Sequence, residues 1–393
     1  MSRYKIQAFL FVFVAFMLGC NEYMIVGVLP DISQEINASL SSLGYLVTVF
    51  ALVYAIATPI VTSLTKYFKR HQLLFFLMEI FFIGNTWTAL SRSYISLLLS
   101  RILSATTAGA IISLILVIAN FVAPLEKRAS LLSWIFAGFS IASIIGLPIG
   151  TFISTTFSWH ASFWMISLLT LVTFALLLIF VPRDTPQSQS SKGNKQFAIL
   201  GNRQIQLTLL AIILACAAQY TYYTYIRSLI TDYMHFPKSW LNILLLLLGL
   251  AFIAGNKTGG FLADHGGIKR LPLVFGIQTI LLFLSAPLLP LSWLAFLCIV
   301  GICCTNSMYG SSTQVYFLDL AAAEYPESID FASSFNSIFA NIGISLGSFT
   351  AAQAAGLTGI SSTPYFGGIY SLLSCLLMVL VCRQLAAKEN KEK

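Results

Sequence analysis

Two charged side chains stand inside long apolar stretches of this sequence. Glu22 lies within the first stretch, residues 6–29, and Arg101 lies near the beginning of the fourth, residues 95–121. A charge in the hydrocarbon layer of a membrane costs about 2.5–3.5 kcal/mol on insertion scales, so both residues are functional candidates by default. Removal from water favours the neutral carboxyl. A carboxyl that is neutral in one state and ionised in another can couple a proton to a second event.

Both residues also have structural interpretations. Glu22 comes about five turns into its stretch, which at about 1.5 Å per residue leaves roughly 10–12 Å of helix beyond it. A carboxyl at that depth could instead hydrogen-bond a neighbouring helix. Arg101 could hold Glu22 in its ionised form, share a water network with it, or reach the interface by snorkelling. The sequence leaves contact between the two open, and we take Glu22 and Arg101 as the candidate proton-coupling residues.

Further polar side chains inside the apolar stretches could line a cavity. Tyr220, Tyr223 and Arg227 follow a spacing of three and four residues, which places them on one face of a helix. Tyrosines are also common in the aromatic belts at membrane interfaces, and asparagines in apolar helices often bond neighbouring helices, so both interpretations stay open. The candidate substrate-binding residues are Asn21, Tyr220, Tyr223, Arg227, Asn306 and Asn341.

Other ionisable residues suggest less chemistry. Glu79 in the third stretch is expected about two turns from the cytoplasmic end, where pairing with a loop base is favoured over proton coupling. The four histidines, His71, His160, His235 and His265, stand at the ends of stretches. The sequence has no metal-ligand spacing, nucleophile elbow or phosphate-binding loop. We therefore expect no enzyme, no metal site and no cofactor.

Twelve apolar stretches must position these residues. Hydrophobic residues make up 58% of the 393 positions and charged residues 9%, whereas a soluble domain is about a quarter charged. Each stretch is close to the roughly 20 residues that a helix needs to cross a bilayer, and none alternates like a barrel strand. The sequence predicts an all-α membrane protein with helices near 6–29, 43–65, 72–90, 95–121, 129–153, 161–181, 205–230, 240–262, 270–289, 292–318, 331–355 and 365–385.

The basic residues predict an orientation. Lysine and arginine flank the stretches almost entirely on one side, with Arg92 and Lys238 on the other. This asymmetry places both termini in the cytoplasm, so the net charge of +8 is a topology signal and not a nucleic-acid-binding surface. A hydrophilic linker at 182–204 predicts two six-helix bundles, 1–181 and 205–393. Two such halves suggest a parallel repeat with a substrate site near the membrane midplane.

Short motifs add a family resemblance that covers the whole chain. The segment 260–270, GFLADHGGIKR, resembles the cytoplasmic loop signature of the major facilitator superfamily, and Ser100–Leu103 resembles its membrane-arginine motif. Gly138 with the segment 146–150, GLPIG, is similar to the glycine–proline motif of antiporters in that superfamily. The segment 21–30 is similar to the start of bacterial sugar and arabinose efflux permeases, in the 12-helix drug–proton antiporter branch.

The resemblance implies a function as well as a fold. It implies proton-coupled export of a small organic solute, sugar, nucleoside or drug-like, by alternating access in a bacterial cytoplasmic (inner) membrane. The alternative is an uncoupled facilitator or importer of a sugar-like solute, in which Glu22 hydrogen-bonds a hydroxyl. Expected partners are the solute, protons and the lipid bilayer, and a monomer suffices mechanically. The resemblance assigns conformational roles to Gly138, Gly146, Pro148, Gly150, Gly260 and Asp264.

Overall fold

The structure is a computed structural model that describes residues 3–64, 67–183 and 194–392. Twelve helical segments are long and apolar enough to cross a membrane, and no strand occurs among the described residues. The predicted all-α membrane fold with twelve transmembrane helices is therefore confirmed. The chain divides into two compact units, Met1–Ser190 and Ser191–Lys393.

The predicted linker at 182–204 is partly an ordered element. Its residues 184–193 lie outside the described residues. The following segment, Asn194–Gly201, is a 3-10 helix that packs on the second unit. The ring of Phe197 meets that of Phe331 edge to face, with the centroids 5.0 Å apart. This apolar contact anchors the end of the linker to the unit that follows it.

Six α-helices make up most of the described part of the first unit. The hydroxyls of Ser39, Ser93 and Ser158 accept backbone N–H bonds in the first turns of the second, fourth and sixth helices. These caps satisfy amides that have no partner within the helix, so the three helices begin at defined residues. The helices are α1 (Arg3–Ile36), α2 (Leu40–Ser63), α3 (Arg70–Leu90), α4 (Tyr94–Val122), α5 (Arg128–Thr156) and α6 (Trp159–Phe180).

Helix α1 is longer than the sequence predicted. It continues without a break through Pro30 to Ile36, whereas the apolar stretch ends near residue 29. The fourteen residues between Glu22 and Ile36 correspond to about 21 Å of helix. The predicted 10–12 Å beyond Glu22 is therefore wrong, and Glu22 lies close to the middle of its helix.

Helices α1 and α5 pack at backbone contact along the glycines of α5. A side chain at Gly138 would place its first carbon 2.6 Å from the carbonyl oxygen of Val12. A side chain at Gly146 would meet the backbone of Cys20, and one at Gly150 would collide with Met24. Small residues at these positions let the two helices approach closely. The helix remains continuous through Pro148.

The second unit contains nine α-helical segments among its described residues, besides short 3-10 and π-helical segments. Helix α10 ends at Ser285, short of the predicted bound at 289, because Pro287 and Pro290 cannot continue it. The segments are α7 (Arg203–Tyr223), α8 (Ile226–Ser228), α9 (Leu241–Asp264), α10 (Leu271–Ser285), α11 (Ser292–Asn306), α12 (Tyr309–Glu324), α13 (Ile329–Ser333), α14 (Phe335–Leu357) and α15 (Thr363–Glu392).

Two predicted helices of the second unit are interrupted. The stretch 205–230 is not one helix, because α7 ends at Tyr223 and a turn precedes the three-residue α8. The stretch 292–318 is split into α11 and α12, which are separated by Ser307 and Met308. Both breaks occur in residues whose hydropathy fits a continuous helix.

Glycines in α9 accommodate the break between α11 and α12. A side chain at Gly255 would collide with the carbonyl oxygen of Cys304, and one at Gly259 would come within 2.5 Å of the carbonyl oxygen of Met308. The Ser307 N–H bonds the Cys304 carbonyl at 3.2 Å in a tight turn. The backbone of the break therefore lies directly against a face of α9 that carries no side chains.

The two units share a packing pattern, as expected for a parallel repeat. The most extensive contact in the first unit is between α1 and α5, and in the second between α7 and α14. In both pairs a glycine of one helix packs against the backbone of the other helix. Gly138 faces the carbonyl of Val12, and Gly343 faces the carbonyl of Ile213. The first and fifth spans of each unit therefore pair in the same way.

The segment at 260–270 is more helical than a loop signature implies. Gly260 and Asp264 lie in the last turns of α9, and the turn itself begins at His265. Gly266 has φ of +111° and Gly267 has φ of +48°, in the left-handed region that glycine adopts without strain. Asp264 is exposed and caps no helix within the described ranges.

Candidate functional site

Arg101 is fully buried inside the first unit. Its guanidinium carbon lies 4.2 Å from the centroid of the Phe50 ring and 5.7 Å from that of Phe163. Phe50 belongs to α2 and Phe163 to α6, so aromatic rings from two helices surround the charge. A desolvated guanidinium over an aromatic face is stabilised by about 2 kcal/mol. The snorkelling interpretation is wrong, because Arg101 has no exposed surface.

Arg101 binds the residue that precedes Glu22. Its Nη1 donates to Asn21 Oδ1 at 2.9 Å, and Nη2 donates to the Asn21 backbone carbonyl at 3.4 Å. Asn21 is fully buried. It therefore positions the arginine and has no surface to offer a solute in this conformation, contrary to the expected substrate-binding role. Two helices separated by 80 residues in sequence are joined at this point.

Glu22 remains available beside this buried pair. Its side chain is partly buried, and it makes no hydrogen bond or close ion pair with any described residue. Its charge interacts electrostatically with that of Arg101. The contact left open by the sequence is therefore indirect: Arg101 bonds Asn21 and influences Glu22 through space. A carboxyl without a fixed donor can gain or lose a proton without breaking a hydrogen bond.

The buried pair also has unused donors. Arg101 Nε and Asn21 Nδ2 are buried and have no hydrogen-bond partner among the described residues. An unpaired buried donor costs about 1–3 kcal/mol. Such groups are expected at sites of function, because a structure selected for stability alone would pair them.

In the second unit, three amides form a chain across three helices. Gln278 Nε2 on α10 donates to Asn306 Oδ1 at 3.2 Å, and Asn306 Nδ2 at the end of α11 donates to Gln219 Oε1 on α7. Gln278 Oε1 is buried without a partner. If all three side-chain amides were flipped, the group of Gln278 left without a partner would be an NH₂ group with two hydrogens instead of one oxygen. The observed direction leaves fewer hydrogen-bonding positions unpaired and is therefore favoured. The chain leaves the Gln219 NH₂ group as its free end.

The tyrosines predicted to line a cavity are packed against one another. Tyr220 and Tyr223 lie in the last turn of α7 with ring centroids 5.8 Å apart, and Tyr223 lies 5.8 Å from Phe252 of α9. Both are buried. Arg227 lies on α8, beyond the turn, so the argument from one continuous helix face fails for it. Its side chain is partly buried.

The described hydrogen bonds and ion pairs of Asn341 and Glu79 do not involve the residues of these clusters. Asn341 Nδ2 donates to the Ser337 carbonyl of its own helix at 3.1 Å, which leaves its buried Oδ1 unpaired. Glu79 is the tenth residue of α3, is exposed, and makes no ion pair within the part of the chain described. The expected pairing of Glu79 with a loop base is not found among the described residues, and Lys66 of the adjoining loop lies outside them.

Sequence reasoning missed three residues of these clusters. Gln219 and Gln278 are polar groups in apolar stretches, and the criterion that selected Asn306 would have found both. Phe50 carried no comparable signal, since the sequence has 31 phenylalanines. Only the fold shows which of these rings contacts the arginine.

Comparison with known proteins assigns the family. The model of the Major Facilitator Superfamily matches residues 11–348. The chain is 31% identical over 358 residues to an uncharacterized MFS-type transporter, YtbD, of Bacillus subtilis (strain 168), covering 90% of each protein. It is 30% identical over 381 residues to the inner membrane transport protein YdhP of Escherichia coli (strain K12), covering 94% of each.

Solved structures share the fold at low identity. The crystal structure of a D-xylose–proton symporter matches 96% of this chain and 97% of its own with a TM-score of 0.77 at 14% identity. The nucleoside transporter NupG matches 97% of this chain and 99% of its own with a TM-score of 0.74 at 15% identity. At such identities the likeness concerns the fold alone. The chain is a multi-pass membrane protein that belongs to the Major Facilitator Superfamily of transporters.

Proposed function

We propose that this transporter exports a small organic solute in exchange for protons, with Glu22 as the proton-carrying residue. The observation that carries the proposal is a carboxyl near the middle of α1 that no described side chain bonds, next to a residue held by a buried arginine. A proton on Glu22 changes the charge of the site by one unit. That change alters its interaction with Arg101 and with any bound solute.

Alternating access supplies the link between proton and solute. Coupling requires that each ligand favour the same conformations, so that binding of one shifts the affinity for the other. Arg101 holds the α1 backbone at Asn21, and α1 packs at backbone distance on the glycines of α5. A change in charge at Glu22 therefore acts on a helix that moves with its neighbours. In this proposal Gly138, Gly146, Pro148 and Gly150 permit that movement.

Polar groups of the second unit are proposed to recognise the solute. Gln219, held by Asn306, offers the free NH₂ group at the end of the amide chain, and Tyr220 and Tyr223, which pack on each other in this conformation, are proposed to offer aromatic surface in another conformation of the transport cycle. Arg227 and the unpaired Asn341 oxygen add a charge and an acceptor in the proposed site. Such groups suit a neutral or weakly polar solute with hydroxyl or ring surfaces, which includes sugars, nucleosides and drug-like molecules.

An uncoupled facilitator or an importer of a sugar-like solute is the second candidate. One structural neighbour is described as a proton symporter for D-xylose, so the fold is compatible with import. The placement in a bacterial inner membrane follows the relative YdhP, and cytoplasmic termini follow the distribution of basic residues. A monomer suffices for this mechanism.

The test uses the full chain in proteoliposomes with an imposed pH gradient. Representative sugars, nucleosides and cationic drugs are added in turn, and an enclosed pH-sensitive dye reports proton movement. Wild type should move protons when a transported solute is added, and Glu22→Gln should not. Glu79→Gln is the matched control, because it neutralises another glutamate in an apolar helix.

The outcomes separate the candidates. Accumulation of solute by Glu22→Gln under a pH gradient would show that Glu22 does not carry the proton. Equal solute flux in wild type and Glu22→Gln, with or without the gradient, identifies a facilitator. Proton movement in the opposite sense, entering with the solute, identifies an importer.

A further inference from the structure

A carboxylate and an imidazole join three helix ends of the first unit, separately from Glu22. Glu35 lies in the last turn of α1 and His160 in the first turn of α6. His160 Nε2 lies 2.7 Å from Glu35 Oε1, and His160 Nδ1 lies 2.8 Å from the carbonyl oxygen of Ala89 in the last turn of α3. Trp159 Nε1 donates to Glu35 Oε2 at 2.7 Å. Solvent reaches the pair, since the His160 and Glu35 side chains are 22% and 49% exposed.

The geometry fixes where the hydrogens are. The Ala89 carbonyl can only accept, so His160 Nδ1 must carry a hydrogen. The contact between His160 Nε2 and Glu35 Oε1 also needs one hydrogen, either on the imidazolium or on the carboxylic acid. In both cases the pair holds one proton more than a neutral imidazole beside a free carboxylate. Loss of that proton leaves two lone pairs facing each other at 2.7 Å.

We propose that Glu35 and His160 form a second proton-binding site, in which one shared proton ties the ends of α1, α3 and α6 together. The proton leaves to bulk water as the pH rises. The neutral imidazole keeps its bond to Ala89, and the end of α1 that carries Glu35 is released from His160. The proposal rests on these contacts alone and does not depend on the role of Glu22.

The helix poles around the pair act in both directions. The C-terminus of α3 favours a positive imidazole and the N-terminus of α6 favours a negative carboxylate, whereas the same end of α6 disfavours the imidazolium and the C-terminus of α1 disfavours the carboxylate. The assignment of the proton therefore depends on the hydrogen-bond contacts and not on the poles. The other charged groups at this end of the unit are Asp31, which accepts a bond from the Ser154 hydroxyl, and the exposed Arg92. The phenols of Tyr45 and Tyr94 also lie near the beginnings of α2 and α4. Asp31 can accept its serine bond without sharing a proton, so it serves as a control.

Two substitutions at Glu35 should give opposite dependences on pH. Glu35→Ala removes both bonds at every pH. Glu35→Gln can accept from Trp159 through its oxygen and donate to the bare His160 Nε2 through its NH₂ group. That arrangement needs a neutral imidazole, so the glutamine contact forms at alkaline pH and fails when His160 is protonated. Wild type behaves in the reverse sense, because it needs the shared proton.

The measurement is the thermal unfolding midpoint of the full chain in detergent at about pH 6 and about pH 9. The advantage of wild type over Glu35→Ala should be about 2–4 °C larger at the lower pH than at the higher one, because only the bond from Trp159 remains at the higher pH. Glu35→Gln should show its advantage at the higher pH. Asp31→Asn should follow the wild-type profile. Differences from Glu35→Ala that are the same at both pH values would overturn the proposal.

Nitrogen NMR of histidine-labelled protein gives an independent readout if Glu35→Ala does not fold. The His160 signal is identified by its loss in His160→Gln. Above its titration, His160 should hold its hydrogen on Nδ1 and none on Nε2. His265 is the internal control, because its Nδ1 also lies 3.0 Å from a carbonyl, that of Phe261, but no acid bonds its Nε2. A neutral His160 protonated on Nε2, or a protonated His160 whose Nε2 signal shows no more hydrogen bonding than that of His265, would contradict the shared proton.

Discussion

Replacing Asn21 with alanine should destabilise the first unit, and replacing Arg101 with methionine in the same chain should recover much of that loss. The alanine removes the oxygen that accepts from Arg101 Nη1 at 2.9 Å. The guanidinium then stays fully buried with one more unpaired donor, in addition to Nε. Methionine is apolar and nearly as long, so the double variant buries no charge. Asn21 is thus needed mainly because Arg101 is present.

The magnitude follows from the bonds that are lost. A hydrogen bond to a charged group contributes about 1.5–3 kcal/mol. The longer bond to the Asn21 carbonyl, at 3.4 Å, is kept in the alanine variant, so only the side-chain bond counts. Since about 1 kcal/mol shifts the midpoint of a unit this size by about 2–4 °C, the loss should be about 3–12 °C. Arg101→Met alone should have a smaller effect, because it leaves only the neutral Asn21 oxygen unpaired and no buried charge.

The assay is a double-mutant cycle on thermal unfolding in detergent. Wild type, Asn21→Ala, Arg101→Met and the double variant are compared at one pH and one detergent concentration. Asn341→Ala is the matched control, because Asn341 is buried to a similar degree but bonds only its own helix. Combined with Arg101→Met, the control should be additive.

The cycle would refute the reasoning if the effects of Asn21→Ala and Arg101→Met added to within about 0.5 kcal/mol. Additivity would mean that the bond between the two side chains contributes nothing to the stability of the unit. Arg101 would then be held by its aromatic neighbours Phe50 and Phe163 and by the Asn21 backbone carbonyl.

Two further predictions concern helix packing and lipid exposure. Gly138→Ala should lower the unfolding midpoint, because overpacking against the Val12 carbonyl costs about 1–3 kcal/mol, more than the roughly 1 kcal/mol gained in helix propensity. The control is Gly310→Ala, which has open space around it and should leave the midpoint unchanged or raise it. Equal responses of the two variants would count against close packing at Gly138. Glu79→Leu should raise the unfolding midpoint and the yield of inserted protein, because a charge at the centre of a membrane helix costs about 2.5–3.5 kcal/mol. A lower unfolding midpoint would instead show that a partner stabilises Glu79.

The architecture could be predicted from the sequence because it depends on local composition. An apolar run of about 20 residues has one solution in a membrane, so the twelve spans were found without any knowledge of contacts. The end of α1 was placed too early for a related reason. Residues Asp31 to Glu35 are polar enough to end a hydropathy window, yet they continue the helix to bond Ser154, Trp159 and His160.

The site was only half predictable, because its contacts join residues far apart in sequence. Glu22 and Arg101 were predicted because they are charges inside apolar stretches. The residue that bonds Arg101 beside Glu22 is Asn21, which lies 80 positions from the arginine in sequence. His160 seemed an ordinary histidine at a helix end because Glu35, its partner, lies 125 positions away. The break after Asn306 was not predicted for a different reason. It depends on glycines of another helix, α9, which leave room for the backbone of the break.

The interruption at Asn306 has an electrostatic consequence. Helix α11 ends there, buried within the unit. The C-terminal end of a helix carries the equivalent of about half a negative charge, and apolar surroundings screen it poorly. Helix α12 begins only three residues later, at Tyr309, and its N-terminal end carries the opposite partial charge, so the break places two opposed helix poles side by side. The two partial charges largely cancel at a distance, so this break adds backbone dipoles to the interior of the unit without adding a net charge.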